Sequence, residues 1–341
     1  MDNLSYIDEK LEQLTSVFGV SSDESKISEI LLDELKGLCV SAYTDKCGNI
    51  IGLLNEYDSS IPTIMLEAHM DRVGLMIKDI DDDGRISFVP IGGIDERTLL
   101  FSEVVFCKNR ELSGIIVPLD FNTDGNDISN YRIEIGCSNS EAKSLIKKGD
   151  LALIKSKYTH LADGCASCAA MDNRAGIVSI LNAVKTVDKS SLKCNVEIMF
   201  STGEETGLYG AYLYSPDIIP DIAIVVDVTH GMTHDTKDMT GVFPLGSGAI
   251  ICRGPNFNDN LSLKLIDIAK SNSIPYMIEV ASGFSGTTAW ALQTANGGVA
   301  TTLISIPLKY MHTNVETLAL SDISAVSELI EKALKGDDFI A

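Results

Sequence analysis

Phe200-Ser201-Thr202-Gly203-Glu204-Glu205-Thr206-Gly207-Leu208-Tyr209-Gly210 begins where an apolar run, Val196 to Phe200, predicts the end of a β-strand. Its glycines indicate a turn that leads into a helix. Adjacent residues leaving a strand point in different directions, so Glu204 and Glu205 are free to do two different jobs. One can bind a metal ion while the other transfers a proton. Taken alone, the stretch is better explained by two solvated glutamates at a helix start, and only the ligands supplied by the rest of the chain favour the metal site.

Four other places in the chain supply further candidate metal ligands. In an open α/β sheet, ligands bind beyond the carboxyl ends of the strands, so we expect these side chains to share one crevice. Imidazole combined with carboxylates is the ligand mixture of zinc, cobalt or manganese pairs. The candidates are His69 after the strand Thr63 to Glu67, Asp172 at the mouth of a helix, Asp227 at the end of the strand Ile222 to Asp227, and His312 after the strand Val299 to Ile306.

Composition narrows the class of protein. The 341 residues make two domains the natural expectation. A net charge of −21 argues against nucleic acid or an anionic membrane surface as partner. The chain begins with neither a basic nor an apolar signal segment, no apolar run approaches membrane-spanning length, and the eight cysteines are too sparse for a disulfide scaffold. We therefore predict a cytoplasmic protein, in which Cys165 and Cys168 serve packing rather than redox chemistry or zinc binding.

The pattern of apolar residues predicts an α/β domain with an insertion. Two helices (Tyr6 to Phe18 and Ile27 to Leu38) and a strand pair (Ala42 to Leu54) precede the strand that carries His69. From residue 73 to residue 162 short β-like runs recur with turn signals between them, and beyond Asp172 helices and strands alternate to the end. We predict one discontinuous α/β domain, residues 1–72 and 163–341, interrupted by a β-rich domain, residues 73–162.

Five motifs in the same order give the chain a resemblance to a known family, the tetrahedral (TET) metallo-aminopeptidases, some of which carry the name cellulase or endoglucanase. The resemblance covers nearly the whole chain. The motifs are His-x-Asp at His69 and Asp71, Asp-Asn-Arg-x-Gly at Asp172 to Gly176, Glu-Glu-x-Gly-Leu-x-Gly-Ala at Glu204 to Ala211, Val-Asp-Val-Thr-His at Val226 to His230, and Tyr-Met-His at Tyr310 to His312.

The resemblance implies a zinc-aminopeptidase-type catalytic domain with a mixed sheet, and an inserted PDZ-like or β-barrel domain for dimer contacts. It implies removal of N-terminal residues from short peptides, and dimers that assemble into a dodecamer. Two divalent ions per subunit are implied, with zinc expected and cobalt or manganese as alternatives. The implied roles are Asp172 as the bridge, His69 and Asp227 on one ion, Glu205 and His312 on the other, Glu204 as general base, and Asp71 as the residue that orients His69.

Two departures from the family pattern concern the substrate. Thr288 stands where many relatives carry aspartate, which predicts a missing carboxylate near the site and a tilt away from basic substrates. Lys309 replaces an arginine. A preference for acidic residues needs a cation near the pocket, for which Arg253 and Lys309 are the candidates, although an ordinary surface or structural charge is slightly favoured for either. The choice between acidic and neutral N-terminal residues stays open.

Two other functions compete with the peptidase. A glycoside hydrolase needs two carboxyl groups facing each other across the sugar, whereas Glu204 and Glu205 are neighbours and a histidine–carboxylate metal cluster has no role there. A non-catalytic relative is disfavoured because every ligand candidate and the base candidate are present. Of the remaining histidines, we predict His230 in the pocket or behind the ligands and His234 in a loop, and His160 has no partner that we can name.

Overall fold

The computed structural model describes residues 3–109, 111–120, 127–216, 218–336 and residue 339. Some positions of both predicted domains lie outside that description: 1–2, 217, 337–338 and 340–341 in the catalytic domain, and 110 and 121–126 in the insertion. The boundaries predicted for the two domains therefore stay a prediction.

Helices and strands alternate along most of the described chain. The helices are α1 (Asn3–Thr15), α2 (Ser25–Leu38), α3 (Asn139–Leu145), α4 (Met171–Thr186), α5 (Tyr209–Leu213), α6 (Asp259–Ser271), α7 (Thr288–Leu292) and α8 (Leu320–Lys335). The strands are β1 (Ser41–Thr44), β2 (Ile50–Leu53), β3 (Thr63–His69), β4 (Gly74–Ile80), β5 (Ile86–Ile91), β6 (Glu103–Phe106), β7 (Ser113–Pro118), β8 (Tyr131–Glu134), β9 (Leu151–Ile154), β10 (Thr159–His160), β11 (Cys165–Ser167), β12 (Asn195–Ser201), β13 (Ile222–His230), β14 (Ala249–Arg253), β15 (Tyr276–Val280), β16 (Ala300–Leu308) and β17 (Thr317–Ala319).

An eight-stranded mixed sheet forms the centre of the α/β part, in the order β1-β2-β12-β3-β13-β16-β14-β15. Its four central strands, β12, β3, β13 and β16, run parallel to one another. The outer strand β2 is antiparallel to β12, and β14 is antiparallel to β16. The mixed α/β fold predicted from the sequence is therefore confirmed. The four parallel strands all end at the same edge, which is where the site is built.

Both faces of this sheet are covered, which explains why β3 is buried along its whole length. Side chains alternate between the two faces, so Ile64 and Leu66 pack with α1, α2, α4, α6 and α8, whereas Met65 packs on the other side with α5 and α7. Burial on both faces accounts for the nearly continuous apolar runs that predicted the central strands. The predicted helices in the first 38 residues are confirmed as α1 and α2.

The segment between β3 and α4 contains a closed barrel of six strands, in the order β4-β5-β8-β7-β6-β9. The barrel has a core of its own, built from side chains such as Ile77, Phe88, Val104 and Ile133. The β-rich composition predicted for this segment is confirmed, with α3 as its helix. In the described part of the chain, no helix is long and apolar enough to cross a bilayer.

Three predicted strand ends fall short by two or more residues, because β3 runs to His69, β13 to His230 and β16 to Leu308. Asp227 does not end its strand, because β13 continues to His230 and pairs with β16 as far as Leu308. The three residues of that extension, Val228 to His230, pair in register with Ile306, Pro307 and Leu308 of β16. Asp227 and Thr229 are two residues apart in one strand, so their side chains point to the same face.

Candidate metal centre

Five side chains from five separate segments meet at the carboxyl edge of the sheet. They form two groups whose ligand atoms lie within 4.8 Å of one another: His69, Asp172 and Asp227, and Asp172, Glu205 and His312. All five are the residues selected from the sequence, and Asp172 belongs to both groups. Their convergence in one place agrees with the prediction of a single crevice.

Asp172 turns one carboxylate oxygen to each group. Its Oδ1 lies 3.0 Å from His69 Nε2, and its Oδ2 lies 3.3 Å from His312 Nε2. The second carboxylate of each group is similarly close, with Asp227 Oδ1 3.7 Å from His69 Nε2 and Glu205 Oε2 3.3 Å from His312 Nε2. The backbone leaves helical angles at Asp172 (φ −78°, ψ 106°) although α4 has begun, which places its side chain at the sheet edge.

Both histidines present the same ring nitrogen to the carboxylates. His312 Nδ1 lies 2.9 Å from the Gly93 carbonyl oxygen, which can only accept, so Nδ1 carries the proton and donates it there. His69 Nδ1 lies 3.2 Å from the Asp71 carbonyl oxygen and 3.4 Å from Asp71 Oδ1, which are also acceptors. In the neutral rings, Nε2 is left with its lone pair facing the carboxylates, the tautomer that a metal ligand requires.

Asp71 connects the His69 strand to the turn that carries the two glutamates. It is 0% exposed, its Oδ1 accepts from the Glu204 backbone N–H at 3.0 Å, and its Oδ2 accepts from the Glu205 backbone N–H at 3.1 Å. Oδ2 also accepts from the Ser21 hydroxyl at 2.6 Å. Burial alone would raise the pKa of Asp71, but these bonds and His69 lower it below the ordinary value.

The cluster as a whole is rich in carboxyl groups that share one small buried volume. Burial, reinforced by nearby carboxylates, raises the pKa of Glu204 to about 9 and that of Glu205 to about 8. Burial alone would lower the pKa of His312, but Asp172 and Glu205 raise it to about 10. The metal-free cluster therefore retains protons to offset its negative charge, and divalent cations would displace those protons on binding.

Sequence reasoning missed Glu316, a buried residue behind the ligands. Its Oε1 accepts from the His312 backbone N–H at 2.8 Å and its Oε2 from the Asp172 backbone N–H at 3.3 Å. Burial and the nearby Asp172 raise its pKa to about 8. Its place four residues after His312 was the available signal, but a glutamate following a loop is common. It holds the backbone of two members of the cluster at once.

Glu67 corrects the expectation that a carboxylate is missing near Thr288. Glu67 lies two residues before His69 in β3, is fully buried, and accepts hydrogen bonds from the hydroxyls of Ser201 and Thr288. Burial raises its pKa to about 7. The carboxyl group thus comes from the sheet, and Thr288 serves as its donor.

A cavity of about 460 Å³ opens over the cluster. The five candidate ligands and Glu204 line one part of it, and His230 also lines it, as predicted. His234 lies in an exposed turn. Neither Arg253 nor Lys309 belongs to the lining, and Arg253 forms a bidentate ion pair with Asp259. The two cations considered for an acidic substrate are therefore not at the cavity surface.

Other polar residues singled out in the sequence lie away from the cluster. His160 Nε2 is 2.8 Å from Asp8 Oδ2, and its ring packs edge-on against Tyr158. Cys165 and Cys168 are free cysteines outside both groups of candidate ligands in the described chain. The Ser156 hydroxyl lies 3.5 Å from Cys168 Sγ, which is buried. These observations agree with a packing role for the cysteine pair.

Comparison with known proteins identifies the family. The family model described as M42 glutamyl aminopeptidase matches residues 48–329. A putative aminopeptidase of Acetivibrio thermocellus is 31% identical over 334 residues, covering 95% of this chain and 97% of the relative.

Two solved structures extend the match to the fold. An aminopeptidase of the archaeon Desulfurococcus kamchatkensis superposes with a TM-score of 0.91 at 28% identity, covering 98% of this chain and 96% of that one. The dodecameric PhTET1 superposes with a TM-score of 0.83 at 31% identity, covering 96% and 98%. With a family match over most of its length, the chain belongs to the M42 glutamyl aminopeptidase family of metal-dependent peptidases.

Proposed function

We propose that this chain is an aminopeptidase that works with two divalent metal ions and removes the N-terminal residue of short peptides. One ion would be held by His69, Asp172 and Asp227, and the other by Asp172, Glu205 and His312. The observation that carries the proposal is the orientation of the Asp172 carboxylate, because each of its two oxygens faces the Nε2 of a different histidine. A carboxylate that divides its oxygens in this way is suited to bridge two ions.

The donor set fits such ions. Imidazole nitrogens and carboxylate oxygens are the ligands of zinc, cobalt and manganese, and zinc is the metal we propose first. Glu205 Oε1 is buried and has no hydrogen-bond partner among the described residues. A buried carboxylate oxygen without a partner is costly, and a bound cation would satisfy it.

When bound, the two ions would polarise the scissile carbonyl and lower the pKa of the attacking water. Glu204 lines the same cavity but belongs to neither group of candidate ligands, and Asp71 accepts its backbone N–H and so holds the turn that carries it. As general base, Glu204 takes a proton from the attacking water and delivers it to the leaving amine. Asp71 positions His69 and the turn, and Glu316 positions the backbone of His312 and Asp172.

A glycoside hydrolase is the rival function, and a solved Thermotoga maritima protein named as an endoglucanase is similar to this chain, with a TM-score of 0.79 at 27% identity. The geometry favours the peptidase because Asp172 joins the histidines in one cluster, whereas a glycosidase needs two free carboxyl groups on opposite sides of a sugar. A non-catalytic relative is disfavoured because the five candidate ligands and the candidate base, Glu204, all line one cavity. Chelation abolishing peptide hydrolysis supports the peptidase, while cellulose hydrolysis that survives chelation would support the rival.

Replacing each of the two adjacent glutamates with glutamine tests whether one is the general base and the other a metal ligand. Glu204→Gln should lower kcat by roughly a hundredfold or more, the usual contribution of a general base, while metal content stays at two ions per chain. Glu205→Gln should lose metal as measured by elemental analysis. Glu134→Gln, an exposed glutamate in β8 of the barrel, is the matched control and should change neither. If the two cluster variants behaved the other way round, the assigned roles would be wrong.

We further propose that the barrel contacts a second copy and that dimers assemble into a dodecamer, as the name of the PhTET1 structure states for that protein. The barrel surface exposes large apolar side chains, including Phe101 at 63% and Ile115 at 52%. Such exposure is typical of a protein–protein interface. Light scattering should report a large oligomer, and Ile115→Lys should reduce its mass. A monomer at all concentrations would contradict this assembly.

Family membership leaves the residue specificity open. Relatives of this chain carry the names glutamyl aminopeptidase, from Lactococcus lactis, and lysyl aminopeptidase, from Pyrococcus furiosus. In the proposed mechanism, the candidate ligands act on the scissile bond and not on the substrate side chain. The preference must come from the rest of the cavity.

A further inference from the structure

Glu279 lies in the wall of the cavity, on the edge strand β15, and takes no part in the proposed chemistry. Its Oε1 accepts a hydrogen bond from the Thr229 hydroxyl at 3.0 Å, and its Oε2 lies 3.3 Å from Cys252 Sγ. Thr229 and Cys252 are themselves in the lining. The carboxylate is therefore held from two sides and directed over the sheet towards the site.

The Glu279 carboxylate bonds a residue that lies close to the cluster along β13. Thr229, which contacts Glu279, is two residues beyond Asp227 on the same face of β13, so the two positions are about 7 Å apart along the strand. Lysine carries its ammonium on a four-carbon stem. A peptide whose scissile bond lies at the cluster can therefore extend a lysine or arginine side chain as far as Glu279.

The remaining wall suits the stem of such a side chain. Phe257 and Leu303 line the cavity and belong to the apolar core on that side of the sheet. Phe284, at the cavity mouth, packs edge-on against Trp290. Long basic side chains bury their methylenes along apolar surfaces while the charged end reaches a polar partner. An apolar wall ending in a carboxylate is suited to lysine or arginine.

The charge of the cavity also favours a basic substrate side chain. No lysine or arginine lines it within the described chain, so Glu279 has no cationic neighbour there. Arg253 follows Cys252 in β14, but its guanidinium is engaged by Asp259. The carboxylate would repel an acidic substrate side chain and attract a basic one.

We propose that Glu279 is the specificity-determining residue of this cavity and selects peptides whose N-terminal residue is lysine or arginine. This inference rests on the proposed aminopeptidase function and replaces the sequence-based expectation of a tilt away from basic substrates. That expectation considered only Thr288, and it missed both Glu67 and Glu279.

The test compares lysine with norleucine, which has a side chain of similar length without the ammonium group. With metal-loaded protein, kcat/KM for lysyl p-nitroanilide should exceed that for the norleucyl compound by roughly tenfold or more, since Glu279 is half-buried and an ion pair with it would be partly shielded from solvent. Glu279→Gln should remove that preference and leave the norleucyl rate within about threefold of the wild type. Glu279→Lys should reverse it in favour of glutamyl p-nitroanilide. Glu134→Gln is the control and should retain the lysine preference.

Two outcomes would overturn the inference. The wild type could turn over norleucyl and lysyl compounds equally. Alternatively, Glu279→Gln could slow all substrates by the same factor, which would show that Glu279 binds the α-ammonium group common to all of them. Circular dichroism and metal content, measured on each variant, separate these results from a loss of folding.

A binding measurement separates this inference from the proposed function. If no aminoacyl compound is hydrolysed, the proposed function fails, and calorimetry with free L-lysine and L-norleucine then decides the inference. Tighter binding of lysine to the wild type, with equal binding to Glu279→Gln, would support a basic side-chain site. Equal binding of the two amino acids to the wild type would overturn it.

Discussion

Replacing Asp71 with asparagine tests the link between the histidine strand and the glutamate turn. The wild-type carboxylate accepts one backbone N–H on each oxygen, from Glu204 on Oδ1 and from Glu205 on Oδ2. An asparagine side chain has one oxygen and one NH₂ group, so either orientation sets a donor against one of these N–H groups. The Ser21 hydroxyl can rotate to adapt, but a backbone N–H cannot.

The expected magnitude follows from this count of partners. A buried N–H left without an acceptor costs about 1–3 kcal/mol. The bonds that remain lose the strengthening that a charged acceptor provides, which brings the total to roughly 2–4 kcal/mol of the free energy of unfolding. Because His69 Nδ1 also loses a negative partner, metal affinity or activity should fall by roughly 10–100-fold.

Urea unfolding of the metal-free protein measures the first effect, and zinc titration with kinetics on the metal-loaded protein measures the second. Asp81→Asn is the matched control, since Asp81 caps the β4–β5 turn by accepting two backbone N–H groups on the single oxygen Oδ1. Asparagine can keep both bonds there, so stability should fall by less than about 1 kcal/mol and activity should not change. If Asp71→Asn matched the control in both measurements, the proposed positioning role would be refuted.

Three further predictions concern charge, metal and backbone. Burial raises the pKa of Glu197 from 4.5 to about 7, so the native state binds a proton that the unfolded state has released. The free energy of unfolding should therefore fall by roughly 3 kcal/mol as the pH rises from 4.5 to 7. Urea unfolding at several pH values should show this slope in the wild type and a flatter one in Glu197→Gln. Chelation should lower Tm, because ions present at a hundred times Kd stabilise the native state by about 2.7 kcal/mol relative to the unfolded state. Adding zinc, cobalt or manganese should restore Tm, and a Tm that chelation leaves unchanged would count against a metal centre. Gly248→Ala should unfold at a lower urea concentration than Gly246→Ala. Both residues have φ above +80°, but only at Gly248 would the new Cβ meet a backbone atom, because it would lie 2.0 Å from the Pro275 carbonyl oxygen. Equal urea midpoints for the two variants would show that the clash relaxes without cost.

Local sequence determined much of the site. Each candidate ligand lies at or just beyond an apolar run or at a helix start, and in a parallel sheet those ends meet at one edge. His69, Glu205 and Asp172 could thus be assigned to one crevice without coordinates. The role of Asp71 was implied by the family resemblance, and it agrees with the rule that a histidine ligand usually donates its second N–H to an acceptor.

The local sequence did not reveal where the strands end or which distant residues contact each other. The continuation of β13 past Asp227 depends on pairing with β16, about eighty residues later in the chain, so the apolar pattern of the strand alone could not reveal it. The same is true of Glu316, whose two backbone donors belong to separate segments.

The partners of two carboxylates, the buried Glu67 and the cavity residue Glu279, were decided by tertiary structure alone. Glu67 and Thr288 are 221 positions apart, and Glu279 and Thr229 are 50 positions apart, yet each pair forms a hydrogen bond. The order of strands in the sheet brings them together, and strand order depends on long-range pairing rather than on local spacing. The sequence by itself therefore determined which residues are candidate metal ligands, because those lie at recognisable strand and helix ends, whereas only the folded sheet decided which charges line the cavity.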